Sequence, residues 1–437
     1  MRIGLIAMSG VRVRTPALAE MGVTLPQFVA RGQVIAALPS LGLLTVAALT
    51  PEDVEVVYRE VDALPEDDAL EHFDLVGISS FTARIDAAYA LADRYRAMGV
   101  PVVLGGLHVS ALPQEAAAHA DAIVLDGAEG AWPELIEDAR AGALKPVYRG
   151  LRKDVFAPGA YARPRFDLLK GGAYNRVTVQ TSRGCPIDCE FCAASLRITA
   201  SFQQKPVDLV VDELRAAAAV MDAPFVEFAD DNTFVNRKWG KAFLRAIAPL
   251  GLRWFTETDI SVAEDVELLD LMREAGCRQI LIGLEGTAPA QLAGLDPHDW
   301  KARRAGRYLE AIERIQSRGI SVNGCFVLGL DTHGPEVFET VRDFIRQSDL
   351  LEAQVTVMTP FPGTPLYRRL HREGRLLAER FWDRCTLFDV TYRPARMRVD
   401  ELEGGLRWLF GEVYTDAEFA RRRRHFMEIS KALRRVA

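Results

Sequence analysis

Short apolar runs alternate with helical patterns through the first 150 residues. The runs at 3–7, 54–58, 75–79, 102–105 and 122–125 are short and apolar, Glu55 and Ser79 aside, and bounded by turn residues, as buried parallel strands are. Helical spacing fills the gaps, for example at 87–98 and 113–119. This alternation predicts a doubly wound α/β sheet, which takes ligands outside the carboxyl ends of its strands. The turns there are Ser79-Ser80-Phe81-Thr82, Gly105-Gly106-Leu107-His108 and Asp126-Gly127-Ala128-Glu129-Gly130. A less regular stretch with Pro158, Pro164, Gly171 and Gly172 follows and reads as a linker.

A second alternation begins near Asn175. Its strands fall at 176–181, 225–229, 253–257, 279–285, 321–328 and 353–358, with helices such as 206–221, 266–275 and 301–317 between them. Six strand–helix units imply an incomplete parallel barrel, with its chemistry at the C-terminal strand ends. Beyond about 365 the pattern turns helical and aromatic. There Phe381, Trp382, Phe388, Tyr392, Trp408, Phe410 and Tyr414, with Phe361 before them, either close the barrel or pack a core. The expected division is 1–150 doubly wound domain, 151–173 linker, 174–365 barrel and 366–437 helical cap.

Composition narrows the class. The 437 residues carry 53 Lys and Arg against 60 Asp and Glu, a net charge of −7, with 49 % hydrophobic and 26 % charged residues. That balance describes a soluble globular protein and argues against a broad nucleic-acid footprint. The basic run Arg421 to Arg424 reads as a solvated helix face. The opening Met1-Arg2-Ile3-Gly4-Leu5-Ile6 reads as a first strand, not a secretory signal. The uncharged stretch 33–51 falls short of the ~20 residues of a membrane span and is interrupted by Pro39 and Gly42, so a buried loop and a core helix are expected. Six cysteines, three of them within eight positions, make no disulfide framework and fit a reducing cytoplasm.

Those three lie in Thr181-Ser182-Arg183-Gly184-Cys185-Pro186-Ile187-Asp188-Cys189-Glu190-Phe191-Cys192, directly after the first barrel strand. Soft thiolates select iron–sulfur clusters or zinc. Structural zinc usually takes four protein ligands, and Cys277, Cys325 and Cys385 lie far off singly, the first two read as core residues. Three thiolates on one loop leave one iron of a [4Fe–4S] cubane open. A zinc site or chance clustering is the alternative.

Cys-x3-Cys-x2-Cys with an aromatic before the last cysteine resembles the signature of the radical S-adenosylmethionine superfamily. The resemblance implies a (β/α)6 partial barrel of TIM type. It also implies that Cys185, Cys189 and Cys192 hold a [4Fe–4S] cluster whose open iron binds S-adenosylmethionine and splits it reductively to a 5′-deoxyadenosyl radical. Phe191 is then expected near the adenine. Phe228-Ala229-Asp230-Asp231-Asn232 is similar to the motif that holds the substrate amino group, which assigns Asp230 and Asp231 to it; a helix cap is the alternative. Glu257 and Glu285 end strands three and four, where the family places polar groups for ribose and carboxylate; a barrel-rim role is the alternative. Val327, in Gly324-Cys325-Phe326-Val327-Leu328-Gly329, lies on the strand whose backbone meets adenine.

The first domain resembles the cobalamin-binding module fused ahead of many such enzymes. Pro39-Ser40-Leu41-Gly42-Leu43, Asp74 to Ser79, Val103 to Ser110 and Ala120 to Glu129 carry the likeness. It implies a Rossmann-like, cobalamin-binding-type sheet with Ser80, Gly105, Gly106, Gly127 and Glu129 beside the cofactor, glycine allowing close backbone approach. The chain lacks the Asp-x-His-x-x-Gly that ligates cobalt from below: only His298 and His333 follow an aspartate at that spacing, and neither has the glycine. Cobalamin-dependent C-methylation of a small molecule is the leading expectation. Radical dehydration, decarboxylation, cyclisation or rearrangement without cobalamin is the alternative, and a non-catalytic iron–sulfur redox protein a further one. The cluster implies an external donor such as flavodoxin or ferredoxin.

Overall fold

The computed structural model describes residues 1–21, 38–66, 70–170, 174, 176–193, 199–221 and 225–436. The beginning of the uncharged stretch, Gly171 and Gly172 of the linker, and Asn175 lie outside the described residues.

The first domain is built on β1 (Arg2–Met8), β2 (Glu55–Val61), β3 (Leu75–Ser80), β4 (Val102–Gly105), β5 (Ala122–Leu125) and β6 (Val147–Arg149). They form a sheet in the order β2-β1-β3-β4-β5-β6, parallel at every pairing. The order reverses between β1 and β3, the position where such sheets open a crevice for ligands. β6 was not expected: three residues alternating exposed, buried, exposed are too few to register as a strand. The helix Leu41–Leu49 is capped by Ser40, whose Oγ accepts from the Leu43 N–H at 3.4 Å, and buries Leu43, Leu44 and Ala47. The uncharged stretch therefore ends in a core helix, as expected.

The barrel begins with β7 (Val177–Val179). An antiparallel two-residue pair, β8 (Ser182–Arg183) with β9 (Gln203–Gln204), then brackets the cysteine loop. β10 (Phe225–Phe228), β11 (Arg253–Thr258), β12 (Cys277–Glu285), β13 (Ser321–Leu328) and β14 (Glu352–Val357) complete it. The sheet runs β14-β13-β12-β11-β10-β7, parallel throughout and in sequence order. Among the described residues β14 and β7 do not pair, so this is the open, six-stranded partial barrel that was expected. The helix expected at 301–317 is two, Ala302–Ala305 and Tyr308–Gln316, parted at Gly306.

The C-terminal extension departs from a simple barrel cap. Its helices are Pro365–Arg372, Val399–Val413 and Asp416–Val436. Between the first two, Phe381, Trp382 and Cys385 pack into a core shared with Ile85, Tyr89 and Ile78 of the first domain. Trp382 Nε1 reaches both Glu115 oxygens at 3.1 Å, and Asp389 accepts from the Thr15 N–H and hydroxyl at 2.6 Å. This segment laces the two domains together. Phe388, Tyr392 and Phe410 pack on the barrel side, whereas Trp408 is exposed. In the basic run Arg422 is 1 % exposed and donates to the Val413 carbonyl at 2.9 Å, so only Arg423 and Arg424 form a solvated face.

Candidate active site

The cysteine loop is held from three directions. Gly184, with φ of +93°, makes the turn that a side chain would strain, and its N–H donates to Asp231 Oδ2 at 3.2 Å. The Glu190 N–H donates to the Leu295 carbonyl at 3.4 Å, and its own carbonyl accepts from the Leu366 N–H at 3.0 Å. The Glu190 carboxylate pairs with Arg369 at 2.6 Å, fastening the loop to the helix Pro365–Arg372. All six cysteines are free thiols. Burial pushes Cys189 up to about 12 and raises Cys185, and coordination to a metal centre would favour their thiolate forms. Among the described residues no three His, Cys, Asp or Glu side chains close on one ion, so the loop is not a preformed mononuclear cage. A set of three soft sulfur donors on an open strand-end loop fits an iron–sulfur cluster.

Two adjacent aspartates after β10 separate in role. Asp230 is 3 % exposed, and Oδ1 accepts from the Thr181 and Ser182 N–H groups at 2.7 and 2.8 Å. Oδ2 accepts from the Thr181 and Thr233 hydroxyls at 2.5 and 2.8 Å. A carboxylate has about four acceptor positions, and all are taken. Asp230 is therefore a clasp that binds β10 to the root of the cysteine loop, not the amine-holding group expected of it. Asp231 is half-buried and faces the loop through Gly184.

Glu257, one residue before the end of β11, is exposed but stands among the carboxylates of Glu227, Asp231, Asp230 and Glu285. Burial and then Glu227, with Asp231, Asp230 and Glu285 adding to it, push its pKa up to about 8. Glu285 follows a register shift in β12 and sits at φ of +64°, a left-handed conformation that costs a non-glycine residue about 1 kcal/mol or more. Lys301 Nζ secures it, donating to Glu285 Oε1 at 2.9 Å and to the Gly283 carbonyl at 2.6 Å. Burial alone would depress the lysine, but Glu285 outweighs it and holds the ammonium charged. Val327 packs in the barrel core opposite Thr356, and Phe191 is half-buried against that core. Cys277 is a core residue as expected. Cys325 is not: it is half-buried in β13 and accepts from Gln354 Nε2 at 3.6 Å.

A cavity of about 720 Å³ joins the two domains. Met8, Ser80, Gly105, Gly106 and Gly127 line it at the carboxyl edge of the first sheet, and Thr178, Glu227 and Ala229 line it from β7 and β10. Phe361 and Pro362, in the loop after β14, form another wall. A Cβ built on Gly105 would meet only Val124, at 3.7 Å, and would project into this space; one on Gly42 meets nothing within 4 Å. Gly106 has φ of +107°. Phe81, 57 % exposed, stands at the rim. The glycine-lined, largely apolar cradle fits a large planar cofactor such as cobalamin. His108 lines the cavity with Nδ1 3.3 Å from Thr82 Oγ1; Nε2 is buried 3.5 Å from Glu115 without a hydrogen bond, and burial lowers its pKa. His333 is buried with its pKa pushed down to about 4 and does not line the cavity.

Glu129 lines the cavity, yet its carboxylate is committed. Arg183 Nη2 donates to Oε1 at 3.0 Å and Nη1 to Oε2 at 3.3 Å. Glu129 is thus a strut between the domains, not the free cofactor-binding group expected of it. The sequence offered no sign of this pairing, because its members stand 54 positions apart on separate domains. Thr178, Glu227, Arg176 and Lys301 were missed as well. Glu227 in β10 and Arg176, just before β7, form an ion pair at 2.7 Å with 15 % and 13 % of their side chains exposed, where apolar residues are usual.

Comparison with known proteins agrees with this geometry. The radical SAM superfamily profile matches residues 179–347, a B12-binding domain profile matches 29–136, and a domain of unknown function, DUF4070, matches 364–436. Bacteriochlorophyllide d C-12(1)-methyltransferase of Chlorobaculum tepidum is 27 % identical over 87 % of this chain and 84 % of its own length. Hopanoid C-2 methylase of Rhodopseudomonas palustris is 29 % identical over 79 % of this chain and 66 % of its own. Among solved structures, the radical S-adenosylmethionine methyltransferase TsrM from Kitasatospora setae, with cobalamin and a [4Fe–4S] cluster bound, superposes with a TM-score of 0.65 at 16 % identity, covering 95 % of this chain and 90 % of that one. OxsB, a cobalamin-dependent S-adenosylmethionine radical enzyme with aqua-cobalamin bound, gives 0.67 at 13 % identity, covering 94 % and 67 %. Fold and site thus define an enzyme with a Rossmann-like sheet fused to a partial barrel. Residues 179–347 match the radical S-adenosylmethionine superfamily, behind an N-terminal match to a B12-binding domain at 29–136.

Proposed function

We propose that this enzyme methylates a carbon atom of a small-molecule substrate by cobalamin-dependent radical S-adenosylmethionine chemistry. The single cavity running from the glycine turns of the first sheet to β7 and β10 carries the reading, since a scaffold domain needs no space open to the barrel mouth. The relatives named as methyltransferases support it. So do the structural neighbours, which hold cobalamin.

Cys185, Cys189 and Cys192 would hold the cluster, with Asp231, Glu257, Glu285, Phe191 and Val327 arranged for S-adenosylmethionine. Ser80, Gly105, Gly106 and Gly127 would receive cobalamin. When bound, these groups supply a 5′-deoxyadenosyl radical that removes hydrogen and a methyl group that replaces it. The chain's own residues do the positioning. Asp231 accepts from the Gly184 N–H, Lys301 holds Glu285 in place, and Glu257, its pKa raised to about 8, can donate a hydrogen bond. Phe361, Pro362 and Leu387 help shield the chamber from water, which protects a reactive intermediate.

Among the described residues no helix is long and apolar enough to cross a membrane. A cytoplasmic setting and a flavodoxin or ferredoxin donor complete the proposal; no nucleic-acid partner is invoked. Reconstitution with hydroxocobalamin, followed by ultraviolet–visible spectra and product mass analysis, tests it. Retained corrin and a product heavier by one methyl are expected. Protein that retains no corrin while still cleaving S-adenosylmethionine would favour the cobalamin-independent reactions.

A further inference from the structure

A groove of about 300 Å³ opens on the outer face of the barrel, between the turn Ile260–Glu264 and the helices Ala302–Ala305 and Tyr308–Gln316. Arg303, Arg304, Arg307 and Arg314 line it against only two acids, Glu264 and Glu310. Glu310 is shared, 2.6 Å from Arg314 and 3.4 Å from Arg307, while Glu264 lies 3.5 Å from Arg304. Arg303 is exposed and has no side-chain partner among the described residues. The groove is therefore positive on a chain whose net charge is −7. Arg314 braces its helix against the turn, donating to the Ala263 carbonyl at 3.2 Å, whereas Arg303 and Arg307 are exposed.

Its place in the fold gives the charge a use. The segment leading into it touches the cysteine loop, since the Leu295 carbonyl accepts from the Glu190 N–H. Lys301, two residues before Arg303, binds Glu285 at the barrel mouth. The Arg304 guanidinium stacks on Trp300 at 4.2 Å, next to Lys301 in the chain. On the opposite side of the loop, Arg369 and Arg375 are already taken by Glu190, Asp331 and Glu373.

We propose that this arginine groove is the docking site for an acidic one-electron carrier protein of the flavodoxin or ferredoxin type. The proposal rests on the reading that Cys185, Cys189 and Cys192 hold a centre reduced from outside. The carrier is oxidised by one electron and the cysteine-held centre is reduced by one; no atom or proton crosses the interface. A small, charged and partly neutralised surface suits a transient redox contact, for which electrostatic steering sets the encounter rate more than the lifetime.

The test measures direct binding of a flavodoxin to cluster-loaded and cluster-free protein by biolayer interferometry, alongside S-adenosylmethionine cleavage driven either by flavodoxin or by dithionite. Arg303→Glu/Arg307→Glu is expected to weaken flavodoxin binding about tenfold at low salt, with the difference shrinking near 0.15 M salt, where the screening length is about 8 Å. Cleavage driven by dithionite stays unchanged, which shows that the fold and the cluster survive. Arg423→Glu/Arg424→Glu, an equal charge change on the helix Asp416–Val436 outside the groove lining, leaves binding intact. Unaltered binding in the first variant overturns the proposal, as does an equal loss in both variants or a loss confined to Arg368→Glu/Arg372→Glu beside Glu190. Failure of dithionite to drive cleavage in the unmodified enzyme would instead count against the radical reading.

Discussion

Arg183 and Glu129 form a two-pronged ion pair across the junction of the domains, with 13 % and 6 % of their side chains exposed. Arg183 stands two residues before Cys185, and Glu129 ends the glycine turn after β5. The pair thus ties the cysteine loop to the wall of the shared cavity. Removing Glu129 leaves the Arg183 guanidinium with the Gln180 oxygen and the Phe156 ring but without its counter-charge. Glu129→Ala should destabilise cofactor-free protein by about 3–5 kcal/mol, whereas the double change Glu129→Leu/Arg183→Met should cost markedly less. Urea titrations of the three proteins check this; equal costs for single and double variants would show that the pair is not coupled.

The two aspartates after β10 should fail differently. Asp230→Ala removes the acceptor of four protein donors at the root of the loop, so iron content per chain should fall sharply. Asp231→Asn keeps the hydrogen bond to Gly184 but loses the charge. It should retain iron while weakening S-adenosylmethionine binding about tenfold. Iron assay and equilibrium dialysis separate the two, and an iron-replete Asp230→Ala protein would remove the clasp.

Gly105 offers a way to fill the cavity without disturbing the sheet. A leucine there projects into the open space, because the nearest atoms to its Cβ lie 3.7 Å away. Gly105→Leu should lower hydroxocobalamin affinity by about tenfold or more while iron content stays constant. Loss of both cofactors together would mean that the sheet itself had been damaged.

The protonation of Glu257 predicts a pH dependence of stability. Its pKa of about 8 lies above the ordinary 4.5, so the folded protein holds a proton that the unfolded chain releases. The stabilisation is present in full below about 4.5 and is lost as pH rises through 8. In cofactor-free protein the melting temperature should therefore decline across that window on account of Glu257. Glu257→Gln should flatten the decline and melt higher than the unmodified protein above pH 8. Identical melting profiles would contradict the raised pKa.

The parts of the molecule that were legible in the sequence are those with strong local patterns. Short apolar runs such as those in β4 and β5 marked parallel strands, and the cysteine spacing marked its own loop. What could not be read was made by distance. Asp230 and Asp231 are neighbours of one residue type, and only the fold shows that Thr181, Ser182 and Thr233 consume the first. Glu129 reads as a cofactor group in a glycine turn until Arg183 arrives from the other domain. Phe381 and Trp382 look like barrel aromatics by position, but they pack into the first domain because the chain crosses back after β14. Lys301 was hidden in a helical pattern that breaks at Gly306.

The most direct test of the account is anaerobic reconstitution with iron and sulfide, followed by reduction in the presence of S-adenosylmethionine. The protein should bind about four irons and four sulfides per chain and release 5′-deoxyadenosine, and Cys189→Ala should do neither. Zinc in place of iron, or S-adenosylmethionine recovered intact after reduction, would contradict it.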